Sequence, residues 1–490
     1  MAIPTGRKVL LITLPFVLLL TTISIHISSQ RVYDVAFTRP PIEKSKVWVC
    51  SLEDYHLFYK TSFSNLSMPF NSTCLTALVD NNLNDITLRV GLVRLKYEEL
   101  QATSPKRHVV YFCRHICGGV GDRLRAALST FYLSLAMNAT FTIDMELPVH
   151  WEDFFKGLNN KYDTTSTKGG FFDRFNITTL YNDQRSTTSL QLTLAIPLDD
   201  SNSTLQRRRD PIDWDYNPDV VDEWYSLENV EEYLFLRQDN DSGREQVAFS
   251  GMTFRLQPYK ENPHVQDFWE SYRLKDLGRA ERSYIFFRLF MPKPSNLLRD
   301  AIQPYVDQLK GAFVLGMQIR RGGEQKLDGT GEAEGGWEDP ARHGAGCVHC
   351  MAEKARQLCM SSSSPNCTVW ITSDDPLAVA EIQSSFANST SISVLVSSGP
   401  ITHIDKSVFS TVDYNATLRM HTRTFVDWYV MAEYSDAFII SRSGFGEHAS
   451  WYILLNASHF KPAFQFKSDS PVCEFEDYRL IQNRTSEVEF

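Results

Sequence analysis

Apolar and polar positions fall into blocks whose period changes along the chain. Residues 9–27 are almost continuously apolar and follow Arg7 and Lys8. A membrane-crossing helix needs about 20 apolar residues, and basic residues before it favour a cytoplasmic N-terminus. A signal anchor over 9–27 is therefore expected. A cleavable signal peptide competes with it, although such apolar cores usually run only about 7–15 residues. Residues 109–113 form a short apolar run that predicts a strand. Gly118-Gly119-Val120-Gly121 follows, and then Leu124, Ala127, Leu128, Phe131 and Leu135 recur at helical spacing. Residues 141–143 predict the next strand. The stretch 150–260 is polar, aromatic and turn-rich, and predicts no secure element. Phe313–Ile319 is almost wholly apolar, as suits a parallel strand buried on both faces. Residues 369–372, Ile392–Val396 and Ala437–Ile440 predict further strands, and Phe425, Trp428, Tyr429 and Ala432 share one helical face. The alternation predicts an α/β fold whose second half is doubly wound.

The blocks imply a division into a cytoplasmic tail (1–8), the anchor (9–27), a stem and N-terminal region (28–105), an N-terminal α/β domain (106–295), a C-terminal α/β domain (296–470) and a tail (471–490). The 490 residues suffice for two or three domains, with 43% hydrophobic and 22% charged residues. A net charge of −10 and the lack of a basic stripe exclude nucleic acid as an expected partner. Arg207-Arg208-Arg209, next to Asp210, reads as a solvated loop. Eleven Asn-x-Ser/Thr sequons, at Asn65, Asn71, Asn138, Asn176, Asn202, Asn240, Asn366, Asn388, Asn415, Asn456 and Asn483, fit a chain that enters the secretory route. Nine cysteines in an oxidising compartment are expected to pair, with one left over. Cys347 and Cys350, near His343 and His349, imitate half a zinc site, but disulfides among Cys347, Cys350, Cys359 and Cys367 are the expected outcome.

Several motifs sit where strands are expected to end. Gln318-Ile319-Arg320-Arg321-Gly322-Gly323 delivers two arginines just past a buried strand. Ligands of open α/β sheets bind beyond such ends, and forked guanidinium donors match phosphate oxygens. A structural pair bridging two domains is the alternative. Thr372-Ser373-Asp374-Asp375-Pro376 also follows a strand; its carboxylates either bind a ligand or cap the helix that starts near Pro376. Ser441-Arg442-Ser443-Gly444-Phe445-Gly446 is a small-residue turn before a helix expected from Glu447. Its amides form either an anion site or an ordinary tight turn. Gly119 and Gly121 could lie against a pyrophosphate, with Arg123 or Arg125 adding charge, yet a full dinucleotide fingerprint is missing. Asp427 either accepts hydrogen bonds from a purine edge or is a helix surface residue. Asp213-Trp214-Asp215 matches the short acidic motif of metal-dependent glycosyltransferases.

In this order, the segments resemble the GDP-fucose-dependent fucosyltransferase superfamily, which includes plant cell-wall, rhizobial and N-glycan core enzymes. Gly118–Arg123 is similar to the family's early glycine loop and Gln318–Arg321 to its first motif, whose arginine contacts the GDP β-phosphate. Thr372–Asp375 resembles its acidic segment. Asp427-Trp428-Tyr429 and Ser441–Gly446 resemble its last motif. One departure is Gln318, where many members carry His. The resemblance implies a GT-B-like arrangement of two Rossmann-like domains across a cleft, behind the anchor, with 106–295 on the acceptor side and 296–470 binding GDP-fucose. It implies inverting transfer of fucose from GDP-fucose to a glycan or glycoprotein acceptor, without a metal. It also implies donor contacts at Gly119, Gly121, Arg123, Gln318, Arg321, Asp374, Asp375, Asp427, Ser441, Ser443, Gly444 and Phe445. Arg320 is expected to stabilise the leaving phosphate, and Asp328 or Glu332 to act as general base. A single-pass type II placement in the Golgi membrane is the expected location. A metal-dependent enzyme with another donor and a non-catalytic glycan-binding protein are the competing readings.

Overall fold

The computed structural model describes residues 49–63, 68–103, 107–113, 118–145, 149–158, 175–183, 190–197, 245–251, 262–321, 326–327, 333–334, 346–399, 414–456, 459–467 and 473–477. The anchor at 9–27, Arg207–Arg209, Asp213–Asp215, Asp328 and Glu332 lie outside these residues. The chain divides into two compact units, Met1–Phe70 and Asn71–Phe490. The first contains helix α1 (Leu52–Thr61), capped by Ser51, whose Oγ accepts from the Asp54 amide at 3.1 Å. Its core is aromatic: Phe70 packs 5.8 Å from Tyr55 and 5.9 Å from Phe58, ring centre to ring centre.

The second unit carries two sheets. One runs in the order β2-β1-β6-β5-β4, built from β1 (Arg107–Cys113), β2 (Thr140–Met145), β4 (Phe175–Asp183), β5 (Leu190–Pro197) and β6 (Glu245–Gly251). Strand β1 pairs parallel with β2 and β6, while β5 runs antiparallel to β4 and β6. Three of these strands fall in the stretch 150–260, where the sequence predicts none. Helices α2 (Ser72–Asn81), α3 (Ile86–Ala102) and α4 (Val120–Ala136) accompany this sheet, followed by α5 (Pro263–Ser271) and α6 (Arg279–Phe290).

The other sheet runs in the order β12-β11-β8-β13-β16-β17. Its strands are β8 (Phe313–Ile319), β11 (Cys367–Ser373), β12 (Ile392–Val396), β13 (Ala437–Ile440), β16 (Ala463–Phe466) and β17 (Phe475–Asp477). All pair parallel except the edge strand β17. Helix α7 (Asn296–Leu309) leads into β8. Helices α8 (Gly346–Ser361) and α9 (Pro376–Phe386) link β8 to β11 and β11 to β12. Helices α10 (Tyr414–Tyr434) and α11 (Gly444–Ser450) then follow β12 and β13. Short ladders join β3 (Phe155–Lys156) to β7 (Lys293–Pro294), β9 (Lys326–Leu327) to β10 (Ala333–Glu334), and β14 (Leu454–Asn456) to β15 (His459–Phe460). The chain leaves β8 towards β11 and β12, then returns to add β13 on the opposite side of β8. The strand order therefore reverses between β8 and β13.

Strand periodicity explains how this sheet is covered. Leu315, Met317 and Ile319 of β8, with Val369 and Ile371 of β11, join one buried cluster with α8 and α9. The intervening residues face α10. A Cβ on Gly316 would stand 2.4 Å from Ser435 Oγ and 2.9 Å from Met431 Cγ, so α10 lies directly on the strand there. Trp370 Nε1 donates to the Asp427 carbonyl at 3.3 Å from the same face.

The cysteines pair only partly as expected. Cys359–Cys367 forms, but Cys350 joins Cys473, and Cys347 is a buried free thiol. With Cys350 oxidised, the half zinc site loses a ligand. The expected Golgi-membrane placement needs correction. Among the described residues no helix is long and apolar enough to cross a membrane, and the single-pass placement is carried no further.

Candidate functional site

The reversal between β8 and β13 marks a switch point at the carboxyl ends of both strands, and it is in the crevice at such a point that open α/β sheets bind ligands. Arg320 and Arg321 leave β8 at this point. The Arg320 amide donates to Ser441 Oγ at 3.0 Å, and the Ser441 amide and hydroxyl both donate to the Gln318 carbonyl at 3.0 Å. Ser441 thus ties together the two strand ends that flank the crevice. On the β11 side, Asp374 accepts from Arg320 Nη1 at 2.7 Å and from the Arg321 amide at 2.9 Å. Asp375 stands 3.0 Å from Arg321 Nη1 and caps α9 through the Leu377 amide at 2.8 Å. The acidic pair therefore both orients the arginines and starts a helix.

The two arginines differ in setting. Arg320 is 22% exposed and Arg321 12%. Among the described residues, the Arg320 side chain bonds only Asp374, leaving guanidinium donors available to an anion. Arg321 turns towards the α8 side, where its charge acts on the Cys347 thiol. Burial nevertheless pushes that thiol up to about 12, which keeps it protonated and unreactive.

The turn after β13 starts α11 earlier than the sequence predicts. Ser443 is the N-cap, and the helix begins at Gly444 rather than Glu447. Both glycines in its first turn lie at close approaches. A Cβ on Gly446 would stand 3.0 Å from Gln318 Oε1 and from Ile440 Cγ2, and one on Gly444 3.1 Å from Arg125 Nη2. From the first sheet, Gly118 at φ +76° turns the chain into α4, and Gly119 caps that helix. A Cβ on Gly121 would stand 2.4 Å from the Gly444 carbonyl carbon and 2.5 Å from the Phe445 nitrogen. The glycine loop of one sheet thus abuts the turn of the other, backbone to backbone. Glu447 reinforces the contact, with Oε2 3.7 Å from Arg125 and 3.5 Å from Arg279 of α6.

Arg123 is buried, and its Nε donates to the Gly118 carbonyl at 3.0 Å. It lies near His421 of α10; burial and then the Arg123 charge depress that imidazole to about 4. Asp427 is also buried. Its Oδ1 accepts from Ser397 Oγ, and its Oδ2 lies 3.6 Å from Arg423 Nε. Burial pushes the carboxyl up to about 6, against the opposing pull of Arg423, Ser397 and Thr372. Gln318 is buried on the same face of the sheet, and its Oε1 has no hydrogen-bond partner among the described residues. The structure thus gathers Gln318, Arg320, Arg321, Asp374, Asp375, Ser441 and Ser443 at one crevice, with Gly121 against Gly444 and Phe445. Asp427 lies deeper, under α10.

Sequence reasoning missed Ser397, Arg423, His421 and the pairing of Glu447 with Arg125 and Arg279. Arg423 stands four residues before Asp427 on a helix, the spacing of an ion pair, and was the one detectable signal among them.

No protein family and no curated protein matches the chain by sequence. The solved structures that are similar in part include two in complex with GDP. A mutant of Arabidopsis thaliana FUT1 in complex with GDP is 12% identical, with a TM-score of 0.42 and 84% of each chain covered. POFUT1 in complex with GDP is 11% identical, with a TM-score of 0.35, covering 71% of this chain and 96% of that one. At such scores the fold description rests on the strand order given above.

Proposed function

We propose that this protein is an inverting glycosyltransferase that moves L-fucose from GDP-fucose to a hydroxyl of a glycan acceptor. The observation that carries the reading is Arg320 at the β8–β13 crevice, oriented by Asp374 through a 2.7 Å bond and retaining further donors for an anion. In this reading, the two sheets are the cores of a GT-B-like pair of domains, 106–295 and 296–470. The choice of GDP-fucose rests on the sequence resemblance, in which Asp427 and the 441–446 turn follow the arginine motif in family order.

During transfer, the acceptor oxygen bonds to the fucose anomeric carbon as the bond to the β-phosphate oxygen breaks. The electron pair leaves with GDP, and the acceptor proton passes to a carboxylate, Asp328 or Glu332. Negative charge grows on the β-phosphate, where a preorganised guanidinium lowers the barrier without moving. Amides at Ser443 and Gly444 add donors beside it. Arginine supplies the charge, so no divalent metal is needed. Incubation with labelled GDP-fucose and a panel of glycan acceptors tests the reading, alongside GDP-mannose and UDP-sugars as donors. Transfer only from GDP-fucose, unaffected by EDTA, is expected. Loss in EDTA with recovery on adding Mn²⁺ contradicts the metal-free mechanism.

A further inference from the structure

A second concave region shares no residue with the site above. It is a cleft of about 730 Å³ lined by α2, α3, Tyr272 and Asn138. Its wall carries the polar side chains of Thr73, Thr76, Asp80, Lys96 and Glu99 beside the apolar Ala77 and Leu100. Several of these groups are fixed in place. Asp80 accepts from Arg273 Nε at 2.7 Å, and the Lys96 ammonium donates to the Ser271 carbonyl and stands 5.0 Å over the Tyr272 ring. The Glu99 carboxylate makes no hydrogen bond among the described residues and remains an open acceptor. Hydroxyls, carboxylates and an ammonium in a concave wall suit a hydroxyl-rich ligand better than an apolar one.

Asn138 brings such a ligand to the cleft covalently. It heads the sequon Asn138-Ala139-Thr140, is exposed, and its side-chain amide bonds to nothing among the described residues. Its left-handed backbone, φ 51°, explains why asparagine ends α4. That conformation does not account for a threonine two residues on or for a polar cleft beside the side chain. Of the other exposed sequons, Asn71 and Asn456 differ. Asn71 spends its Oδ1 capping α2, 2.8 Å from the Cys74 amide, and Asn456 bonds His459 at 2.9 Å.

We propose that Asn138 carries an N-linked glycan whose first N-acetylglucosamine lies in this cleft. In the modifying step, C1 of that sugar leaves the pyrophosphate of a lipid-linked oligosaccharide and bonds to Asn138 Nδ2. One Nδ2 proton is lost to a base of the transferring enzyme, and lipid pyrophosphate departs with the electron pair. The sugar then meets Thr73, Thr76 and Glu99 as hydrogen-bond partners, with Tyr272 at the cleft wall.

The full chain, expressed through the secretory route of a eukaryotic cell, provides the test. Glycopeptide mass spectrometry is expected to find Asn138 occupied. Thermal melting then compares protein trimmed to one sugar per site with protein stripped of every sugar. The stripped form is expected to melt lower, and this difference is expected to vanish in Asn138→Asp, which tolerates the left-handed backbone. Asn138→Gly serves the same purpose should the aspartate variant misfold. An unmodified Asn138 in protein whose Asn366 or Asn388 is occupied overturns the proposal. So does a melting difference that persists unchanged in the variants.

Discussion

Asp374 holds Arg320 by its side chain and Arg321 by its amide, so it is a positioning residue for the anion site. Asp374→Ala is expected to weaken GDP binding by roughly 10-fold, the scale of one charge-assisted hydrogen bond, as measured by calorimetry. Asp427 and His421 make a separate prediction, because burial moves them in opposite directions. The folded Asp427 carboxyl holds its proton up to about 6, above its ordinary 3.8. Its contribution to stability is therefore lost as pH rises from about 4 through 6. The folded His421 imidazole titrates at about 4, below its ordinary 6.5. Its contribution is gained as pH rises through the same window. The two offset one another in the wild type. Asp427→Asn removes only the first, so urea unfolding is expected to show stability climbing more steeply between pH 4 and 6.5 than in the wild type. The change in slope should integrate to roughly 3 kcal/mol. An unchanged slope contradicts the burial argument for Asp427.

Glycines at element junctions carry much of the site geometry. Gly121→Ala places a Cβ 2.4 Å from the Gly444 backbone, and neither helix start has a flexible side chain there that can yield. The substitution is expected to cost about 1–3 kcal/mol in urea unfolding and to weaken GDP binding, since it separates α4 from the 441–446 turn. Gly316→Ala meets mainly side-chain atoms of Ser435 and Met431; it is expected to lift α10 from β8 and to reduce stability with less effect on binding. These junctions also mark how far the sequence could be read. The strands β8, β11, β12 and β13 were legible because each is a short apolar run bounded by turn residues. The arginine pair, Asp374 and the 441–446 turn were legible because they follow such runs. The start of α11 was misplaced because Gly444 and Gly446 are poor helix formers, and only the close approach of Gly121 and Gln318 explains them. Strand β5 did carry a signal, the alternation Leu190, Leu192, Leu194 and Ile196, hidden among threonines and sequons. The contact between Gly121 and Gly444 joins segments over three hundred residues apart, and no local period announces it.

At the scale of the whole molecule, the strand reversal beside β8 explains why the chemistry gathers at one edge. Every residue of the proposed phosphate grip follows the carboxyl end of β8, β11 or β13, and the glycine loop after β1 closes on the same place. Because these parts belong to one compact unit, Asn71–Phe490, a ligand held there stabilises that unit as a whole. GDP at about 100 times its dissociation constant is expected to add about 2.7 kcal/mol to stability, seen as a raised melting temperature that EDTA leaves unchanged. The central claim is that Arg320 grips the diphosphate, and calorimetric titration of GDP into wild-type protein and Arg320→Ala tests it most directly. The account predicts a saturable exothermic titration for the wild type and an affinity lower by roughly 10- to 100-fold for the variant, with both proteins folded by circular dichroism. Equal affinity in the two proteins, or no binding of GDP to the wild type, contradicts it.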